Sequence, residues 1–94
     1  METLVEKIQK AVREESYIFG AHADERLRDR RILGWQVVEG LEHATPLRGR
    51  PDGDPHPVAE FEQLLPDGTR CKVAWAWIEA ANTAKLVTVF FLDG

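Results

Sequence analysis

Apolar residues recur along this chain with two different periods, and the change of period divides it. Near the start, Leu4, Ile8 and Val12 repeat every four residues with Ala11 beside them, which predicts a helix from Leu4 to Glu15. Thr3-Leu4-Val5-Glu6 has the form of a capping box: the Thr3 hydroxyl can accept from the third helical N–H while Glu6 reaches back to the cap. Lys10 and Glu14 face outward four residues apart. Ser16-Tyr17-Ile18-Phe19 is a short apolar run that stops at Gly20 and reads as a strand or a tether. A second helix is expected from His22 to Arg31. A third is expected from Leu33 to Leu41, with Leu33, Val37, Val38 and Leu41 on one face. Gly34 and Gly40 weaken that third helix by roughly 1 kcal/mol each relative to alanine.

The segment Thr45 to Pro57 holds four prolines and two glycines and reads as a loop. After it the period falls to two. Val58 to Leu65 reads as a strand with Ala59, Phe61, Gln63 and Leu65 on one face. Pro66-Asp67-Gly68 is a hairpin turn signal. Thr69 to Glu79 and Ala84 to Leu92 read as two further strands. In the middle strand Cys71, Val73, Trp75 and Trp77 share one face, and Ala74, Ala76 and Ile78 the other. A strand apolar on both faces is expected to be central and covered on both sides, with the alanines letting a helix approach closely. The predicted fold class is therefore α+β: a short N-terminal strand, two helices and a three-stranded antiparallel meander, plus an extra N-terminal helix.

The 94 residues fit a single domain, 1–94, divided into the N-terminal helix 1–15 and the core 16–94. A domain this small buries roughly 60–65 % of the surface its unfolded chain exposes, which invites a partner or a homodimer. Cys71 is the only cysteine, so an intramolecular disulfide and a cysteine metal cage are both excluded, and a buried small residue is expected. The first residues lack an apolar signal region and no run approaches a membrane span, so a cytoplasmic location without a membrane partner is expected. The net charge of −4 argues against bulk electrostatic capture of nucleic acid. A nucleic-acid role would need a local positive patch on an acidic body.

The stretch AHADERLRDRRI, Ala21 to Ile32, is the most unusual in the chain. On an ideal helix His22, Arg26 and Arg30 fall within about 80° of one another, beside the apolar stripe of Ala23 and Leu27. Arg28 can pair with Asp24, but the basic row is not self-neutralised, and Arg26 and Arg30 repel at i,i+4. One reading is a site for a phosphodiester: His22 moves a proton while Arg26 and Arg30 hold the charge that builds on the phosphoryl oxygens. RNA carries its own 2′-hydroxyl nucleophile, so no metal or other cofactor is required. The other reading is structural, with Arg26 and Arg30 paired to Glu39, Glu60 or Glu62 and nothing catalysed.

Arg48 and Arg50 could add substrate contacts or be solvated turn charges. Arg70 and Lys72, alternate residues of a strand, could extend a positive groove or guard a sheet edge. His43, Asp52, Asp54 and His56 flank the long loop without matching a metal-ligand spacing. Trp75 and Trp77 suit a core or a dimer contact better than a base-stacking platform. Trp35 lies off the apolar face of its helix and suits a partner surface. Glycine-rich phosphate loops, nucleophile elbows and paired-carboxylate motifs are absent from the sequence.

His22-Ala23, Arg26, Arg30 and Ile32 together resemble the HAxxRxxxRxI signature of a bacterial family of unknown function, and the resemblance runs from Tyr17 to Phe91. It implies a fold similar to the RelE and BrnT toxins of toxin–antitoxin pairs. It also implies metal-independent ribonuclease activity, silenced by a bound antitoxin protein. On that resemblance His22, Arg26 and Arg30 occupy the catalytic motif positions and Ile32 a packing position. Two positions depart from the pattern: the glycine usual before the isoleucine is Arg31, and the aromatic hydroxyl often found after Thr-Val is Phe90. The rival expectation is a non-catalytic interaction or homodimerisation module.

Overall fold

The computed structural model describes residues 3–92. The single-domain reading also takes in residues 1, 2, 93 and 94, which lie outside the described residues. Helix α1 is Leu4–Arg13, and its capping box forms as the sequence predicts: Glu6 N donates to Thr3 Oγ1 and Thr3 N donates to Glu6 Oε1, both at 3.1 Å. The hydrogen bond from the Thr3 backbone N–H, and after it that of the Thr3 hydroxyl, holds the Glu6 carboxyl below the usual carboxylate range. Strand β1 is Tyr17–Phe19, α2 is Ala21–Asp29 and α3 is Gly34–Gly40, continued by a single 3-10 turn. Four strands follow: β2 Thr45–Arg50, β3 Val58–Leu64, β4 Arg70–Ile78 and β5 Thr83–Phe91.

The sheet order is β1-β5-β4-β3-β2, with β1 parallel to β5 and the other pairs antiparallel. The α+β class therefore stands, while the expected three-stranded meander is the centre of a five-stranded mixed sheet. The short apolar run before Gly20 is a strand rather than a tether, since Tyr17 and Phe19 pair in register with Ala84 and Leu86 of β5.

The expected loop from Thr45 to Pro57 is corrected in its first half. Thr45–Arg50 pairs along β3 as an edge strand whose residues are all exposed. Proline is tolerated there because an edge strand has a side without ladder bonds, and the register shifts between Pro46 and Arg48 to accommodate it.

The helices form a layer on one face of the sheet only. Ile8, Ala11 and Val12 of α1, Ala23 and Leu27 of α2 and Val37 of α3 join Ala59, Phe61, Cys71, Val73, Trp75, Trp77, Ala84, Leu86 and Val89 in one apolar core. β4 is central and buried on both faces as expected, but the expectation that a helix would approach its alanine face is corrected. Ala74 and Ala76 are buried, yet they lie outside that core, on the face away from the helices. Leu33, expected on the apolar face of α3, instead precedes the helix and is 57 % exposed. Gly34 and Gly40 sit where side chains would collide. A Cβ at Gly34 would lie 2.5 Å from the Phe19 ring, and one at Gly40 would lie 2.5 Å from the Gln63 amide. Their cost in helix propensity is the condition for α3 to reach the sheet.

α2 closes with a Schellman motif. Ile32 N donates to Leu27 O at 2.9 Å and Arg31 N to Arg28 O at 3.1 Å, while Leu27 and Ile32 are both buried. Arg31 takes the left-handed position, at φ 55°.

Candidate functional site

The row expected on α2 forms only in part. His22 is exposed and Arg26 half-buried, and Arg26 Nε donates to His22 Nε2 across a long 3.4 Å. Arg26 Nη1 also lies 3.5 Å from Asp29, so a carboxylate from its own helix partly neutralises it. Arg30 caps the helix C-terminus, with its guanidinium carbon 6.0 Å from the centre of the Phe91 ring. It lines a shallow cavity of about 210 Å³ together with Arg31, Gln36, Asp67, Thr69 and Phe91. His22 and Arg26 do not line that cavity. Among the described residues no ion pair joins Arg26 or Arg30 to Glu39, Glu60 or Glu62, and none joins Arg28 to Asp24. Among the described residues the expected pairings are thus absent, and Arg30 faces a cavity that His22 and Arg26 do not share.

Strand alternation decides where the other cations go. β4 buries Cys71, Val73, Trp75 and Trp77 against the helices, so Arg70, Lys72, Ala74, Ala76 and Ile78 point to the opposite face. Residues directly opposed on antiparallel strands share a face. Glu62 opposes Lys72, Glu60 opposes Ala74, Arg48 opposes Glu60 and Arg50 opposes Val58. Lys85 opposes Ala76, Thr88 opposes Ala74 and Phe90 opposes Lys72. Arg48, Arg50, Arg70 and Lys72, the four substrate contacts expected from sequence, therefore share the sheet face away from α2. Lys85 and Phe90 join them unforeseen. Their positions between inward residues of the last strand were the signal available for them.

This open face carries five cations, Arg48, Arg50, Arg70, Lys72 and Lys85, against two carboxylates, Glu60 and Glu62. A face of net +3 on a chain of net −4 leaves −7 for all other residues. The local positive patch that an acidic chain would need is here, made by folding rather than by a basic run. Within it the ion pairing is uneven. Arg70 Nε and Nη2 donate to Glu62 at 3.0 and 3.2 Å, a two-pronged bond that holds the guanidinium in its charged form. Lys72 Nζ stands 3.7 Å from Glu60 and 5.6 Å from the centre of the Phe90 ring, which is itself exposed. Arg48, Arg50 and Lys85 enter no ion pair among the described residues. The Lys85 stem runs past Gly20 at the β1 edge.

Among the described residues no three His, Cys, Asp or Glu side chains gather as a metal site, those of His43, Asp52, Asp54 and His56 included. Trp75 is buried, and the Trp77 indole N–H is bonded to Glu79, so both belong to the core and its rim. Trp35 is 53 % exposed. Among the described residues no helix is long and apolar enough to cross a membrane. Comparison with protein-family models, curated proteins and solved structures returns no match.

Proposed function

We propose that this protein is a toxin-type, metal-independent ribonuclease of RelE/BrnT-like organisation, and that RNA meets it on the open sheet face. The observation that supports this reading is the gathering of Arg48, Arg50, Arg70, Lys72 and Lys85 on one uncovered face of an otherwise acidic chain. Phosphates are attracted by such a patch, and the exposed Phe90 ring beside Lys72 offers a surface on which a base can stack. The order β1-α2-α3-β3-β4-β5 agrees with the resemblance noted in the sequence, with α1 and β2 as additions. The resemblance assigns catalysis to His22, Arg26 and Arg30, but these lie in the helix layer and reach no common cleft. In this reading they are a secondary set. An antitoxin protein would be the natural silencing partner, and the cytoplasm the natural compartment.

The test is growth of a bacterial host on induction of the wild type, of His22→Ala/Arg26→Ala and of Arg48→Gln/Lys85→Gln, at matched abundance. Arrest by the wild type, relieved by the sheet-face pair and retained by the α2 pair, is the expected result. A well-folded wild type that neither arrests growth nor binds single-stranded RNA would overturn the proposal. A second reading, a non-catalytic interaction or homodimerisation module, is favoured by one observation. Leu33 and Trp35 are 57 % and 53 % exposed at the start of α3. Sedimentation of the wild type beside Trp35→Ser measures it, since a dimer built there would dissociate in the variant.

A further inference from the structure

The cavity of about 210 Å³ at the end of α2 brings cations, donors and apolar walls into one small space. It lies on the helix side of the sheet, since Phe91 opposes the inward Cys71 and the buried Ile32 and Leu65 supply further lining. Arg30 and Arg31 both line it, and neither enters an ion pair among the described residues. The Arg30 guanidinium stands over the Phe91 ring, which is 42 % exposed. Such stacking holds the planar fork in place while its N–H donors stay open. Gln36 Oε1 accepts from Leu33 N at 3.1 Å, which leaves the amide N–H groups of Gln36 for another acceptor. The one acid among the described lining residues, Asp67, is already engaged: Thr69 N donates to Asp67 Oδ1 at 2.9 Å.

Size and charge decide what fits. An apolar cavity of about 150 Å³ accommodates benzene, so this larger one takes a single ring with a small substituent. It falls below the roughly 300 Å³ at which sites for larger ligands begin, which excludes a base, a ribose and a phosphate together. Two arginines against one aspartate leave a single net positive charge, which matches a monoanion. A phosphate monoester carries about −1.5 to −2 at neutral pH and would bring excess charge, whereas a carboxylate brings one. The arginine fork also suits a carboxylate, two N–H groups to two oxygens.

We propose that this cavity is a binding site for a small aromatic carboxylate. Arg30 and Arg31 hold its oxygens, the Gln36 amide adds a donor, and the ring packs against Phe91, Leu65 and Ile32. The site stands apart from the open sheet face, and the inference does not rest on the ribonuclease reading.

The experiment follows proton–nitrogen correlation spectra of the full chain titrated with benzoate. Three further probes dissect the ligand: benzamide keeps the ring without the charge, acetate keeps the charge without the ring, and phenyl phosphate replaces the carboxylate by a more highly charged group. The same spectra report whether Arg30→Gln, Arg31→Gln and the sheet-face control Arg48→Gln are folded, and the probe series on the wild type needs no variant. The expected result is saturable shifts at the amides of Arg31, Gln36, Thr69 and Phe91, with the other three probes binding more weakly than benzoate. Arg30→Gln and Arg31→Gln should each weaken benzoate about tenfold or more, the usual worth of a charged hydrogen bond, and Arg48→Gln should not. Absence of saturation below about 10 mM, the weakest Kd that about nine non-hydrogen atoms give at low ligand efficiency, overturns the site. Benzoate binding unchanged in both α2 arginine variants overturns it as well. Phenyl phosphate, acetate or benzamide binding as tightly as benzoate overturns the ligand class.

Discussion

The salt dependence of RNA binding separates the two cationic sets of this protein quantitatively. Each phosphate neutralised on a single strand contributes about −0.7 to the slope of log K against log salt. On the open face Arg70 is committed to Glu62 and Lys72 stands beside Glu60, which leaves Arg48, Arg50 and Lys85 for phosphates. About three neutralised phosphates give a slope near −2, or roughly a twentyfold loss of affinity between about 50 and 200 mM salt. The slope would steepen toward about −3.5 only if Arg70 and Lys72 abandoned their carboxylates for RNA. Lys85→Gln removes one contact, so its slope should flatten by about 0.7, and its loss over the same range should fall to roughly sevenfold. Arg26→Gln and Arg30→Gln, in the helix layer, should leave the slope unchanged. Fluorescence anisotropy of a labelled RNA oligonucleotide, titrated at four salt concentrations, measures all of this. A slope altered by the α2 variants and indifferent to Lys85→Gln would refute the argument that strand alternation defines the binding surface.

The remaining predictions concern the fold. Arg31 holds a left-handed conformation that costs an ordinary L-residue roughly 1–2 kcal/mol, more than the flexibility penalty of glycine, so Arg31→Gly should stabilise by about 0.5–1 kcal/mol in urea unfolding. Ile8 is fully buried, so Ile8→Ala should cost about 2–5 kcal/mol in the same assay, whereas a loss near zero would mean that α1 is dispensable. Thr3→Ala removes one half of the capping box and should cost about 0.5–2 kcal/mol. Burial pushes the Cys71 thiol up to about 11 from 9.0, so the unfolded chain loses this proton first as pH rises. The contribution to stability is full below pH 9.0 and declines toward about 11. Native protein at pH 8 should resist a thiol reagent that labels the unfolded chain promptly; rapid native labelling would contradict the burial.

How much of this was legible in the sequence can be judged residue by residue. The capping box at Thr3 and Glu6, the four-residue repeat of Ile8 and Val12, the turn at Pro66-Asp67-Gly68 and the inward row of Cys71, Val73, Trp75 and Trp77 are local signals, and each resolved locally. The sequence also named Arg48 and Arg50, as charges on an expected loop, and Arg70 and Lys72, as alternate residues of a strand. It could not say that they would meet, nor that Lys85 would join them. Their convergence depends on the pairing of β2 with β3 and of β4 with β5, which links residues far apart in the chain. β2 itself escaped notice because Pro46 and Gly49 disfavour a strand in isolation, and only the hydrogen-bonding edge of β3 makes it one. Gly34 and Gly40 looked like defects until the ring of Phe19 and the amide of Gln63 were seen to occupy the space. His22, Arg26 and Arg30 shared a helix face by periodicity, but sharing a face does not make a cleft. Local periodicity, set by backbone geometry, was determined by the sequence alone. Which charged faces came together, and which sheet face stayed uncovered, was decided by long-range strand pairing and the one-sided packing of three helices.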